Sequence, residues 1–161
     1  MIKVTLNKGS QKVMVELIDI EKPHNRAIRK TLYEIGKDNV RHLRKMLRTG
    51  PRTGRIYTIN GRRHQASAAG EPPAKLSGDL ARSVNYKVRG KASNKGSYEM
   101  EFGEGNKDTL KYGKWLEKGT ENEDGSVKMD ARPHISVTVE DKQKDVEVAF
   151  LQNIKQQIGS R

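Results

Sequence analysis

The sequence predicts an α+β fold: a small antiparallel sheet packed with a long N-terminal amphipathic helix and a C-terminal helix, with a protruding basic hairpin and loop arm. Three observations carry this. Apolar and polar residues alternate in several short runs, apolar residues recur at helical spacing in two long ones, and Asn60-Gly61 sits between two basic segments. With 161 residues the chain has the length of a single domain, 1–161, and a chain this long buries enough surface to need neither disulfides nor a metal for stability.

Taken in order, Ile2, Val4 and Leu6 alternate with polar residues, Asn7 to Ser10 supplies turn chemistry, and Val13, Val15 and Leu17 alternate again, which predicts a β-hairpin. Pro23 then suits a first helical turn, and a helical pattern runs to Arg48 and stops at Gly50-Pro51. Ile28, Leu32, Ile35, Val40, Leu43, Met46 and Leu47 share one side of that helix. Arg26, Lys30, Lys37, Arg41, Arg44 and Arg48 crowd into an arc of about 60° on the far side, a basic line expected to face outward. Asn60-Gly61 predicts a type I′ turn, because that turn needs positive φ at both central residues. With Arg55 to Ile59 before it and Arg62 to His64 after it, the hairpin is basic. Ala66 to Pro73 fits neither helix nor strand and reads as an extended loop, so the arm spans about 51–75.

Ser77 is placed to cap a short helix through Leu80 and Val84, with Asp79 near its start. Strand patterns return at Val84 to Val88 and Tyr98 to Phe102, around a Gly-, Lys- and Ser-rich turn. Leu110 to Lys118 predicts a helix stopped by Gly119, and an acidic loop follows over about 121–130. Ile135, Val137 and Val139 alternate like a strand, whereas Val146, Phe150, Ile154 and Ile158 recur like a helix, so 134–140 stays open between the two.

Charge is unevenly placed. The chain has 32 Lys and Arg against 20 Asp and Glu, a net +12; twelve basic residues face five acidic ones over 1–50, ten face three over 51–100, and ten face twelve over 101–161. No acidic residue lies between Asp38 and Glu71. Lys37, Arg41, Arg44, Arg48, Arg52, Arg55, Arg62 and Arg63 are therefore the candidate interface, and a polyanion or an acidic protein face is its natural complement. Aromatic residues are nearly absent here, Tyr33 and Tyr57 apart, which argues against a stacking platform for single strands.

Chemistry finds little support. The chain has no Cys, which excludes a disulfide scaffold, a thiolate metal site and a cysteine nucleophile. Glu121, Glu123 and Asp124 miss the spacing of a calcium loop, and His24, His42, His64 and His134 form no metal-ligand pairing; they read as solvent-facing or simply hydrogen-bonded. Gly103-Glu104-Gly105 lacks the rest of a nucleotide loop, and no G-x-S-x-G elbow exists. No catalytic, cofactor-binding or metal-ligating set is assigned, and the expectation is a non-enzyme without cofactor. No signal-like or 18-residue apolar run appears, so a soluble protein with no membrane partner is expected.

Two stretches resemble one family together. The first is Thr53-Gly54-Arg55, Gly61-Arg62, His64, Ala66-Ser67-Ala68, Gly70-Glu71-Pro72-Pro73, Ser77-Gly78-Asp79-Leu80 and Ser83-Val84. The second is Tyr112, Trp115-Leu116-Glu117, Gly119-Thr120, Met129 and Ala131-Arg132-Pro133. In this order they are similar to the tail-completion, or head-tail joining, family of long-tailed bacteriophages, over roughly residues 20–160. After Ala131-Arg132-Pro133 that family carries an apolar aromatic residue, where this chain has His134.

The resemblance implies a structural virion protein of the neck or tail end, assembled in the host bacterial cytoplasm into a ring of copies of itself, hexameric, against neighbouring head-neck and tail-tube proteins. Its basic part would meet a neighbour's acidic part. Gly70, Glu71, Pro72 and Pro73 would form a docking arm, rigid because proline lowers the ordering cost. Gly78, Leu80, Trp115, Glu117, Gly119, Thr120, Arg132 and Pro133 would be structural, with Trp115 in the core and Arg132 anchoring the C-terminal segment through a carboxylate. The alternative is a basic accessory protein that binds packaged DNA nonspecifically.

Overall fold

The computed structural model describes the backbone of residues 2–7, 12–17, 25–90, 97–105 and 107–159, and side chains over 28–90, 98–105, 108–153 and 155–156. The remainder of the turn expected after Asn7, Pro23, the side chain of Arg26 and the turn after Gly90 lie outside the described residues. The elements are β1 (Ile2–Asn7), β2 (Lys12–Leu17), α1 (Asn25–Thr49), β3 (Ile56–Ile59), β4 (Arg62–Gln65), α2 (Asp79–Ser83), β5 (Val84–Gly90), β6 (Ser97–Glu104), α3 (Lys107–Lys118), β7 (Thr120–Glu121), β8 (Val127–Met129) and α4 (Ile135–Gly159). The α+β class is as the sequence predicts. The chain divides into two compact units: one of residues 1–40, 86–102 and 139–161, the other of 41–85 and 103–138.

The first unit holds a four-stranded sheet in the order β1-β2-β6-β5. β1 and β2 pair antiparallel with Ile2 opposite Leu17, Val4 opposite Val15 and Leu6 opposite Val13. β2 pairs antiparallel with β6, Val13 opposite Met100 and Val15 opposite Tyr98. Tyr98, Met100 and Phe102 are buried, as are Ile28, Leu32, Ile35 and Val40 of α1 and Val146 and Phe150 of α4. Gly36 lets α1 approach β5, because a Cβ there would collide with the Tyr86 ring. Tyr33 meets the same ring edge-on at 6.0 Å. Asn153 Nδ2 donates to Glu34 Oε2 at 2.9 Å and ties α4 to α1.

In the second unit α1 ends where expected: Gly50 N–H donates to Met46 C=O at 2.7 Å, and Pro51 cannot continue the ladder. Leu43 and Leu47 are buried and Met46 half-buried. Asn60 (φ 48°) and Gly61 (φ 75°) both take positive φ, so the I′ signal of the β3–β4 hairpin holds, with Ile59 opposite Arg62.

The start of α2 corrects one expectation. Its N-cap is Gly78 in the left-handed region with no side-chain cap, and the helix stops at Ser83 so that Val84 opens β5. Ser77 Oγ instead accepts from Asp79 N–H at 3.2 Å, one residue early for a cap.

Of the open segment 134–140, residues 135–140 are helical and belong to α4. Their β-branched alternation would suit a strand, but the carboxylate of Glu117 receives the backbone N–H groups of His134, Ile135 and Ser136 at 2.9, 3.0 and 2.9 Å. Three of the four unpartnered amides at the start of α4 thus find an acceptor brought by tertiary structure. Among the described residues no helix is long and apolar enough to cross a membrane.

Candidate interaction surface

The site is built on a hydrogen-bonded frame in the second unit. Glu71 accepts from Thr53 N–H at 3.3 Å, from the Thr53 hydroxyl, and from Ala68 N–H at 2.8 Å. The Thr53 hydroxyl, then the Ala68 amide, hold the Glu71 carboxyl below its usual range. Gly54 N–H donates to Ala66 C=O and Ala66 N–H to Arg55 C=O, which closes the base of the hairpin. Gly70 N–H donates to Ala131 C=O at 2.8 Å, Arg132 Nε to Ser67 C=O at 3.3 Å, and Arg132 N–H to Leu116 C=O at 2.6 Å. Gly119 (φ 75°) turns the chain out of α3 where a Cβ would strike Met129 C=O.

Two expectations change here. Residues 66–73 are no free arm: Ser67 and Pro73 are buried, Glu71 and Pro72 half-buried, and Gly70 is bonded to Ala131. Arg132 anchors through the carbonyls of Ser67 and Asp130, not through a carboxylate. The anchoring carboxylate is Glu117, at the head of α4.

Beside this frame lies a buried polar cluster. His134 is fully buried; its Nε2 lies 2.7 Å from Glu104 Oε1 and its Nδ1 3.0 Å from Glu117 Oε2. Burial disfavours the imidazolium, but hydrogen bonds and charge from Glu104 and Glu117 outweigh it and raise its pKa to about 9. Burial likewise opposes ionisation of Glu117, yet the His134 ring, Ser136 and the amides of His134 and Ile135 hold it well below the usual carboxylate range. Gly113 of α3 leaves the space the Glu104 carboxylate occupies. His134 is thus neither solvent-facing nor simply hydrogen-bonded. Two sequence signals pointed to the cluster: Glu104 continues the inward Tyr98, Met100, Phe102 alternation of β6, and His134 stands where the resemblance places an apolar aromatic residue.

The basic surface divides. Lys37, Arg41, Arg48, Arg52, Arg55, Arg62 and Arg63 are exposed. Arg44 is not part of an outward line: it is half-buried, and its guanidinium donates to Val84 C=O at 2.7 Å. Of the predicted set, Arg52, Arg62 and Arg63 come together in an open cleft of about 580 Å³, joined by Lys75 and His64 and by the apolar Ile59 and Leu76. Arg55, Arg48 and Arg41 do not line it. Among the described residues no acidic side chain does either. Asp79, the carboxylate next along the chain from Lys75 and Leu76, is bonded to Arg82 and Ser77. Arg62, Arg63 and Lys75 therefore have no ion-pair partner among the described residues.

Among the proposed structural residues Leu80 and Pro133 are half-buried and Thr120 opens β7. Trp115 reverses its expectation: it is 46% exposed, beside Tyr112 at 50%, with Lys111 Nζ 5.1 Å from its ring centre. Leu116 is the α3 residue that enters the core. No family model matches the chain, and no curated protein or solved structure matches it.

Proposed function

We propose that the chain is a structural virion protein of a long-tailed bacteriophage, completing the tail and joining it to the head as part of an oligomeric ring. The observation that carries the reading is that the two stretches on which the resemblance rests, distant in sequence, are bonded to each other: Gly70 to Ala131 and Arg132 to Ser67. Motif residues scattered over a surface would favour chance; here they form one frame whose function is to hold a basic hairpin and the head of α4. The partners are further copies of the chain and neighbouring neck and tail-tube proteins.

The test is the mass of the purified chain, alone and with tail tubes of the same virion. Ring-sized assemblies that cap tube ends in electron micrographs are expected; a chain that stays monomeric and leaves the ends bare overturns the reading. A second reading, nonspecific binding to packaged DNA, is favoured by the cleft's cations, which have no ion-pair partner among the described residues. It predicts duplex affinity that falls steeply as salt rises.

A further inference from the structure

We propose that the cleft between the β3–β4 hairpin and Lys75-Leu76 takes the acidic β7–β8 turn of a second copy of this chain. The inference rests on the self-assembling reading above and names the surfaces that would meet.

The cleft offers Arg52, Arg62, Arg63 and Lys75 without one carboxylate, beside Leu76, which is 59% exposed. A purely electrostatic phosphate site has no use for that apolar rim. The β7–β8 turn offers the complement: Glu121, Glu123 and Asp124 are exposed, and Val127 at its edge is 66% exposed. Its shape is set in advance. Asn122 N–H donates to Ser126 C=O at 2.8 Å, Gly125 N–H to Asn122 C=O at 3.0 Å, and Ser126 N–H to Asp124 Oδ1 at 2.9 Å. A turn already ordered loses little freedom on docking.

Glu121 and Glu123 form no ion pair among the described residues, so two unneutralised surfaces of opposite sign stand on one unit of the same chain. Because the two surfaces differ, each copy gives one and receives the other. Such a contact is heterologous and propagates into a closed ring or a filament. Facing potentials of opposite sign also fix the register and reject wrong partners.

The experiment uses two full-length variants, Arg62→Glu/Arg63→Glu and Glu121→Lys/Glu123→Lys, with association measured by sedimentation at low salt. All four positions are exposed, and unchanged circular dichroism melts confirm folding. Each variant alone should associate at least about tenfold more weakly than wild type, since attraction becomes repulsion. Mixed one to one they should associate again, because the reversed cleft of one meets the reversed turn of the other and the two native surfaces also meet.

Wild type that does not self-associate, variants that associate as wild type does, or a mixture that stays apart would each overturn the contact. Duplex DNA bound by wild type and lost in Arg62→Glu/Arg63→Glu, with association unchanged, would overturn it in favour of a phosphate site. Copies that associate through the cleft yet leave tube ends bare would overturn the neck assignment alone; Arg62→Glu/Arg63→Glu rings that still cap the ends would overturn this contact alone.

Discussion

The second unit treats charge in two opposite ways. Around His134, the imidazole and the Glu104 carboxylate are buried and bonded to each other, with Glu117 serving the ring and three backbone amides at once. Around the cleft, Arg62, Arg63 and Lys75 stand exposed, with no ion-pair partner among the described residues. Buried charges must find partners inside the fold, because desolvation costs several kcal/mol per ion. Exposed ones stay hydrated at little cost and remain available to another molecule. The first region therefore specifies the structure, and the second is free to specify a partner.

The sharpest way to break this contrast is at Glu117. Glu117→Ala removes the acceptor at the head of α4 and one partner of a buried imidazole, so unfolding in urea should show a loss of about 3–5 kcal/mol. His134→Phe alone, the residue type the resemblance favours, should cost a similar amount by leaving Glu104 buried without its partner. Adding Glu104→Leu to His134→Phe should recover most of that loss, because an apolar pair of similar size removes the unpaired charge. If the double variant is as unstable as the single one, the cluster is not a self-contained charge unit.

Acidity gives the next effect. A histidine whose pKa rises from 6.5 unfolded to about 9 folded contributes stability fully below about pH 6.5 and loses it as pH climbs through 9. The shift corresponds to roughly 3 kcal/mol. Glu117, depressed in the fold, contributes above its unfolded value of 4.5 and loses that contribution as pH falls toward its folded one. Urea midpoints should therefore be highest between about pH 4.5 and 6.5 and decline toward pH 9–10. In His134→Phe/Glu104→Leu the alkaline decline should flatten.

The helices, the four strands of the larger sheet and the Asn60-Gly61 turn were legible in the sequence because each rests on local periodicity or on a φ requirement that one dipeptide meets. What escaped local reading was set by distant residues. The strand-like run from Ile135 becomes helix because a carboxylate from α3 caps it. Residues 66–73 look like an arm because their prolines and small residues match no period, and their ties to Thr53, Ala131 and Arg132 lie far along the chain. In the candidate site Arg52, Arg62 and Arg63 were readable from charge alone. Lys75 and Leu76 were not, since nothing in their spacing says that they close a cleft with the hairpin. Arg44 fitted the basic stripe on the wheel, but a wheel does not show that a backbone carbonyl of β5 lies within its reach.

Two adjacent residues of α3 set a large effect beside the smallest one. Helical geometry sends Trp115 and Leu116 about 100° apart, so a step of one residue moves a side chain from water into the core. Leu116 is buried, and Leu116→Ala should cost about 2–5 kcal/mol through lost burial and a residual cavity. Trp115 touches Lys111 through its ring and is nearly half exposed, so Trp115→Ala should cost only about 0.5–1 kcal/mol, the scale of an exposed cation–π contact. A larger loss would place Trp115 in the core after all. As the only Trp in the chain it also reports its own surroundings. Its fluorescence in the monomer should be solvent-like and readily quenched by iodide, and should stay so when copies dock through the cleft, because none of the proposed contact residues lies on α3. Protection of Trp115 on self-association would move the interface to the aromatic face of that helix.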